Sequence, residues 1–157
     1  MIFRKGQSLE KGKELKVICF NCGATNRLFE KDLTPGKKIF CGRCHQALPE
    51  PGEVLLLSPQ RIYQLINNGS IPILLDFYSD NCPHCLRMKP ILERLAKRRA
   101  GEIMVVRINV DHYPELAAGF GINSVPTFVI IKKGTEVDRL SGSQNEIDFS
   151  FWVASRT

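Results

Sequence analysis

From residue 53 onward, short apolar runs alternate with stretches whose apolar residues recur at helical spacing, a pattern that predicts an α/β chain. Val54–Leu57 reads as a short strand. Pro59 opens a helix to about Asn68, with Ser58 placed to cap it. Ile71–Ser79 is a buried strand, and Pro83–Arg99 a long helix. That helix carries Met88, Ile91, Leu92 and Leu95 on one face, with Arg87, Glu93, Arg94 and Lys97 off it. Pro90 lies inside it and is expected to kink it. Ile103–Val110 is a strand and Tyr113–Phe120 a short helix. Thr127–Lys132 and Glu136–Leu140 form a hairpin through Lys133-Gly134-Thr135. Ile147, Phe151 and Ala154 give the last helix its expected apolar side.

The front segment, about residues 14–48, is built differently. Short apolar pieces, Leu15-Lys-Val-Ile18, Leu28-Phe29 and Ile39-Phe40, alternate with turns, one of them at Thr34-Pro-Gly36. A segment this small needs a staple. Pro49-Glu-Pro-Gly52 reads as a linker, which divides the chain into domains at 1–50 and 51–157.

Cysteine spacing supplies the staple. Cys19-Phe-Asn-Cys22 and Cys41-Gly-Arg-Cys44 are separated by 18 residues. Two CxxC pairs at about 15–20 residues apart form a zinc pattern, because each tight turn presents two sulfurs to one side of a tetrahedral ion. The front segment is therefore expected to be a zinc ribbon with Cys19, Cys22, Cys41 and Cys44 as ligands of one structural zinc ion, so that metal binding is folding energy. A disulfide pair or a redox switch is the other reading of the same residues. His45 stands beside Cys44 as a competing ligand or a bystander.

Cys82-Pro-His-Cys85 is of another kind. It follows the apolar strand and begins a helix, where unpaired N–H groups and the positive end of the dipole favour thiolate. Cys82, at the helix start, is the expected nucleophile, and Cys85, one turn in, the expected resolving thiol. Pro83 suits the first turn, which needs no N–H from it. His84 either supports the thiolate electrostatically or projects into solvent. The two sites together use all 6 cysteines.

Composition narrows the function classes. Apolar content of 43% in 157 residues allows a real core. The net charge of +6 sits mainly in residues 1–50, where 10 Lys/Arg face 5 Asp/Glu. Four zinc-bound thiolates reduce that surplus to about +3, too little, without a basic-aromatic stripe, to favour nucleic acid. Neither a secretory signal, sought at Met1-Ile-Phe-Arg-Lys-Gly6, nor a membrane-length apolar run is read, so the expected location is the cytoplasm, without membrane attachment. There, paired cysteines serve as metal ligands or catalytic thiols more often than as structural disulfides.

Asp76-Phe-Tyr, Cys82-Pro-His-Cys85, Pro90-Ile-Leu, Arg107-Ile-Asn-Val-Asp111 and Val125-Pro126-Thr127 together resemble the thioredoxin family over roughly residues 53–157. With the zinc ribbon in front, the chain is similar to the bacterial thioredoxin 2 type, cytoplasmic dithiol–disulfide oxidoreductases with an N-terminal zinc site. The resemblance implies the thioredoxin fold, a central mixed β-sheet flanked by helices. It implies protein-disulfide substrates, recharging by an NADPH-dependent thioredoxin reductase, and no bound cofactor beyond structural zinc. It makes Asp76 the buried acid that moves the proton of the resolving thiol, and burial should raise its pKa. A polar residue capping the strand is the plainer reading. Arg107 stands where the family often has a lysine partner to that acid, and would hold Asp76 ionised more firmly. Pro126 matches a proline after a cis bond, which leaves backbone groups at Val125 free to pair with an extended substrate, and Gly142 matches a glycine of the same groove.

Two departures bear on the direction of catalysis. Asn81 replaces the family's usual tryptophan before the first active cysteine, and the only Trp, Trp152, falls in the last helix. Pro83-His84 replaces the usual Gly-Pro and resembles the strongly oxidising periplasmic members of the superfamily. The leading expectation is a protein-disulfide reductase. The alternatives are a disulfide oxidant or isomerase, and a zinc-ribbon redox-sensing or binding module carried on a thioredoxin scaffold.

Overall fold

The computed structural model describes residues 12–34 and 36–157. The leader-free reading of residues 1–11 and the Pro35 position of the front turn lie outside them. Strands β1 (Glu14–Ile18) and β2 (Thr25–Phe29) form an antiparallel hairpin, with Leu15 opposite Leu28 and Ile18 opposite Thr25. Its turn is the Cys19–Cys22 knuckle. The second knuckle, Cys41–Cys44, is closed by a single bridge between Phe40 and Ala47.

The two knuckles are one turn used twice. Cys19 N–H donates to Ala24 O at 2.8 Å, and Cys41 N–H donates to Gln46 O at 2.8 Å. Gly23 N–H returns to Cys19 O, and His45 N–H returns to Cys41 O, at 2.9 and 3.0 Å. The returning residue is left-handed in both, with φ of 76° at Gly23 and 60° at His45.

The rest of the chain folds around a five-stranded sheet. Its elements are β3 (Val54–Leu56), α1 (Pro59–Asn68), β4 (Ile73–Tyr78), α2 (Pro83–Arg98), β5 (Met104–Asn109), α3 (Pro114–Gly119), β6 (Thr127–Lys132), β7 (Thr135–Ser141) and α4 (Glu146–Arg156). Strand order is β3-β5-β4-β6-β7. β5 runs parallel to β3 and β4, whereas β6 is antiparallel to β4 and β7. This is the mixed sheet flanked by helices that the resemblance implies.

Local chemistry explains the boundaries. Ser58 Oγ accepts from Arg61 N–H and Pro59 fills the first turn of α1. Asn145 Oδ1 accepts from Asp148 N–H at the start of α4. α2 continues through Pro90 as one helix. The β6–β7 turn consists of Lys133 and Gly134, both at positive φ as a two-residue hairpin turn requires, so Thr135 already belongs to β7.

Strand alternation sorts the core. Ile73, Leu75 and Phe77 of β4 face α1 and α3, packing with Ile62, Leu65 and Leu116. Leu74 faces the other way, toward Met88, Leu92 and Leu95 of α2 and Phe149 and Val153 of α4. Asp76 shares the face of Leu74 by the same period and so lies under α2.

The expected apolar side of α4 is corrected. Ile147 and Phe151 are 82% and 74% exposed, and Ala154 is also exposed. Phe149 and Val153 are buried instead, with Trp152 packed half-buried beside them. Phe149 stacks edge-on against Phe128, with centroids 4.7 Å apart. Polar bonds fix that rotation: Arg94 and Arg98 of α2 bind Glu146, and Arg98 also donates to Ser150.

The front hairpin shares a core with the larger sheet. Leu15, Val17, Cys19, Cys41 and Leu48 cluster with Ile71, and Met104 packs against them. Lys16 N–H donates to Ser70 Oγ at 2.6 Å, and Arg61 Nη2 donates to Asn21 O at 3.1 Å.

Candidate functional site

Cys82 caps α2. Its Sγ accepts a hydrogen bond from Cys85 N–H at 3.1 Å, and the two cysteines are joined as a disulfide. Cys82 keeps 8% of its surface exposed and Cys85 1%, so attack from outside reaches Cys82 first. The Val125–Pro126 peptide bond is cis, and Val125 O lies 3.8 Å from Cys82 Sγ. Gly142, at φ 89°, donates its N–H to Pro126 O at 2.8 Å, with open space where a Cβ would stand. Cys82, Val125, Pro126 and Gly142 thus meet at one end of the sheet. Gln144 N–H, reaching Met88 Sδ at 3.4 Å, ties the Gly142 loop to α2.

Asp76 is fully buried and pairs with the nearly buried Arg107, which stands opposite it on β5. Arg107 Nε donates to Asp76 Oδ2 at 2.7 Å, and Asp76 Oδ1 has no hydrogen-bond partner among the described residues. Burial raises the Asp76 pKa from 3.8 to about 6, against the opposing charge and hydrogen bond of Arg107. Arg107 and Cys85 line one cleft of about 280 Å³, together with Leu56, Tyr78, Leu86 and Lys89.

His84 is exposed, and its Nδ1 lies 3.1 Å from Arg87 Nη2. A guanidinium can only donate, so Nδ1 is the acceptor in this pair. Asn81 is exposed beside Cys82. Trp152 is far along the chain, half-buried, with its indole N–H donated to Asp138 at 2.9 Å.

The four front cysteines converge. Their sulfurs all lie within 4.8 Å of one another, close enough to hold one metal ion such as zinc. His45 is not among them, because its left-handed backbone belongs to the knuckle turn and its side chain is exposed. The donor set fits a soft cation chemically. N–H groups of Cys44 and Arg43, with the Asn26 amide, hold the Cys41 thiol down at about 6 despite burial. Gln46 N–H is the largest influence drawing Cys44 below its ordinary value. Cys22 is drawn down by Ala24 N–H, but burial and the three neighbouring cysteines outweigh it and push the thiol up to about 11. Sulfurs this close cannot all shed their protons unless a cation balances them.

Sequence reasoning missed three supporting residues. Arg87 sits three residues after His84 on α2, a spacing that pairs helical side chains. Tyr78 lies two residues after Asp76 on β4, and the Arg107 Cζ stands 3.9 Å from its ring centroid. Arg61 reaches the first knuckle from 40 residues away, which no local spacing signals.

Comparison with known proteins agrees with this geometry. The thioredoxin family model matches residues 53–155. Thioredoxin C-3 of Corynebacterium nephridii is 34% identical over 137 residues, spanning 87% of this chain and 92% of that one. That match is longer than the 53–155 segment, so it runs into the cysteine-rich front. Thioredoxin of Haemophilus influenzae is 39% identical over 85 residues, covering 54% of this chain and 79% of its own. A solved mutant thioredoxin from Halobacterium salinarum NRC-1 superposes with a TM-score of 0.61 at 30% identity, covering 69% of this chain and 95% of that one.

Proposed function

The chain belongs to the thioredoxin family, and from that premise we propose that it reduces protein disulfides as a zinc-ribbon member of the thioredoxin 2 type with a Cys-Pro-His-Cys centre. Family membership supports thiol–disulfide exchange in general. The observation that carries the reading is Cys82 at the helix start, with Cys85 bonded to it and the buried Asp76–Arg107 pair behind.

The chemistry balances without a bound cofactor. Cys82 thiolate attacks one sulfur of a substrate disulfide, and the other substrate sulfur leaves as a thiolate. Cys85 passes its proton to Asp76, then attacks Cys82 Sγ. The mixed disulfide breaks, the second substrate sulfur leaves as a thiolate, and a Cys82–Cys85 disulfide remains. Two electrons have passed from the dithiol to the substrate, and an NADPH-dependent thioredoxin reductase restores them. Asp76 suits this role because its raised pKa lets it hold or release a proton near neutrality. Val125, Pro126 and Gly142 form the groove for an extended substrate segment.

Residues 1–50 form a ribbon domain and 51–157 the redox domain. Cys19, Cys22, Cys41 and Cys44 would hold one structural zinc ion, which neutralises their thiolates and cross-links the two knuckles. The reducing cytoplasm is the compartment that suits both thiol sets. Among the described residues, no helix is long and apolar enough to cross a membrane.

The oxidant or isomerase reading rests on Pro83-His84. It asks His84 to stabilise the Cys82 thiolate, as a cation or through a hydrogen bond. His84 is exposed, and its Nδ1 is paired with Arg87 Nη2 at 3.1 Å rather than with Cys82, which favours the reductase. Equilibration of the metal-loaded protein against glutathione tests this. A Cys82/Cys85 potential near thioredoxin's roughly −270 mV supports the reductase; one near about −120 mV sinks it and makes oxidation the function.

A further inference from the structure

We propose that Tyr78 is a positioning residue for Asp76, acting through Arg107 to keep Asp76 Oδ1 open as the acceptor of the Cys85 proton. This rests on the reading of Asp76 as that acceptor.

Asp76 and Tyr78 project from the same face of β4, and Arg107 stands directly across from Asp76 on β5. A guanidinium beside a carboxylate ordinarily binds both oxygens through its fork. Here a single bond joins the two, from Nε to Oδ2 at 2.7 Å, and the buried Oδ1 has no partner among the described residues. The guanidinium carbon lies 3.9 Å from the Tyr78 ring centroid. A cation resting on an aromatic face is held there by the ring quadrupole and is no longer free to turn its fork onto the carboxylate. The stack accounts for the one-sided pairing. Oδ2 is anchored and Oδ1 is left for a proton.

No other described element supplies a bonded charge to Asp76. β6 presents Phe128 opposite it, and β3 brings Val54 and Leu56 to the cleft. From α2 come Cys85, Lys89 and Glu93, and from the loop after β4 comes Asp80. Losing the stack would let the guanidinium turn its fork onto Oδ1, and Asp76 would then give up its proton at lower pH and offer no open oxygen.

The test uses the full, metal-loaded chain. The Asp76 carboxyl is followed by carbon NMR against pH, and the rate of resolving a mixed disulfide at Cys82 is followed over the same range. In Tyr78→Phe, which keeps the ring, both profiles stay at their wild-type positions. In Tyr78→Leu both move down by about 1 pH unit, and resolution at pH 8, where Asp76 is ionised in both proteins, slows about fivefold because Oδ1 is covered and the acceptor is the weaker base. Tyr78→Met, which fills the space without an aromatic face, gives the same shift and serves if the leucine variant does not fold. The proposal is overturned if the leucine and methionine variants titrate as wild type, or if the phenylalanine variant shifts as far as they do. Asp76→Asn separates the underlying reading: resolution as fast as wild type at every pH removes Asp76 as acceptor. The NMR midpoint in the Tyr78 variants would still report the stack.

Discussion

Gly23 and His45 occupy the same left-handed position in two copies of one knuckle turn. The equivalence predicts opposite responses to substitution. A Cβ on Gly23 would meet Arg61 Nη1 at 3.3 Å in addition to the backbone cost. Gly23→Ala should lose roughly 1–2 kcal/mol in chemical unfolding of the metal-loaded chain. His45→Gly relieves the same conformation, less the entropy glycine gives up, and should gain less than about 1 kcal/mol. Both variants should retain one metal ion by mass spectrometry. Loss of metal from the His45 variant would restore His45 as a ligand.

The two active cysteines should fail differently. Cys82→Ser removes the attacking sulfur, and disulfide reduction should fall to background in an insulin-reduction assay. Cys85→Ser leaves attack intact but stops resolution. It should therefore accumulate a mixed disulfide with substrate, visible as a heavier, reductant-sensitive band. The trapped species appearing with Cys82→Ser instead would reverse the assignment.

Asp76 links stability to pH. Its folded pKa, about 6, lies above the ordinary 3.8, so the folded chain holds this proton more tightly than the unfolded one. Stability therefore falls as pH rises between those values, and the cost of the buried charge is fully present above about pH 6. That cost is on the order of 3 kcal/mol. Asp76→Asn lifts it, while leaving Arg107 without its counter-ion at every pH. The pH-dependent part is isolated by comparing urea unfolding of both proteins. The variant's stability relative to wild type should be greater at pH 8 than at pH 5 by about 1 kcal/mol. An equal difference at both values would mean that Asp76 does not titrate in that window.

The order of strands and helices was legible because their periods differ, and both CxxC types because their spacing and their place before a helix carry chemistry. α4 was harder. Its sequence has two apolar stripes on opposite sides, Ile147/Phe151/Ala154 and Phe149/Trp152/Val153, and periodicity alone does not say which meets the sheet. The choice is made by Phe128 across the interface and by Arg94 and Arg98 clasping Glu146, which are tertiary facts. Asp76 was legible as a charge inside an apolar strand. The Tyr78 stack was not, because it depends on the β4–β5 register that brings Arg107 opposite Asp76. The linker at 49–52 was legible as a break in composition, but the packing of Ile71 and Met104 into the core of the front segment was not, because it joins residues far apart in sequence.

That shared core makes metal loss a test of the whole chain. Cys19 and Cys41 are buried in the same cluster as Ile71, and Arg61 of α1 holds Asn21 between the first two cysteines. Removing the ion leaves four sulfurs within 4.8 Å without a balancing charge, so the knuckles must open. Opening them exposes Ile71 and the Met104 side of β5, and Lys16 loses its bond to Ser70. Stripping the metal with a strong chelator should therefore lower the melting temperature of the entire chain in one transition. The CxxC pair at the far end of β4 takes no ligand from the ribbon, so its reduction of insulin at 25 °C should stay within about twofold of the loaded protein's. Deleting residues 1–50 should act the same way, more strongly. A ribbon that melts separately, with the larger sheet unfolding at its metal-loaded temperature, would show that the seam transmits no stability.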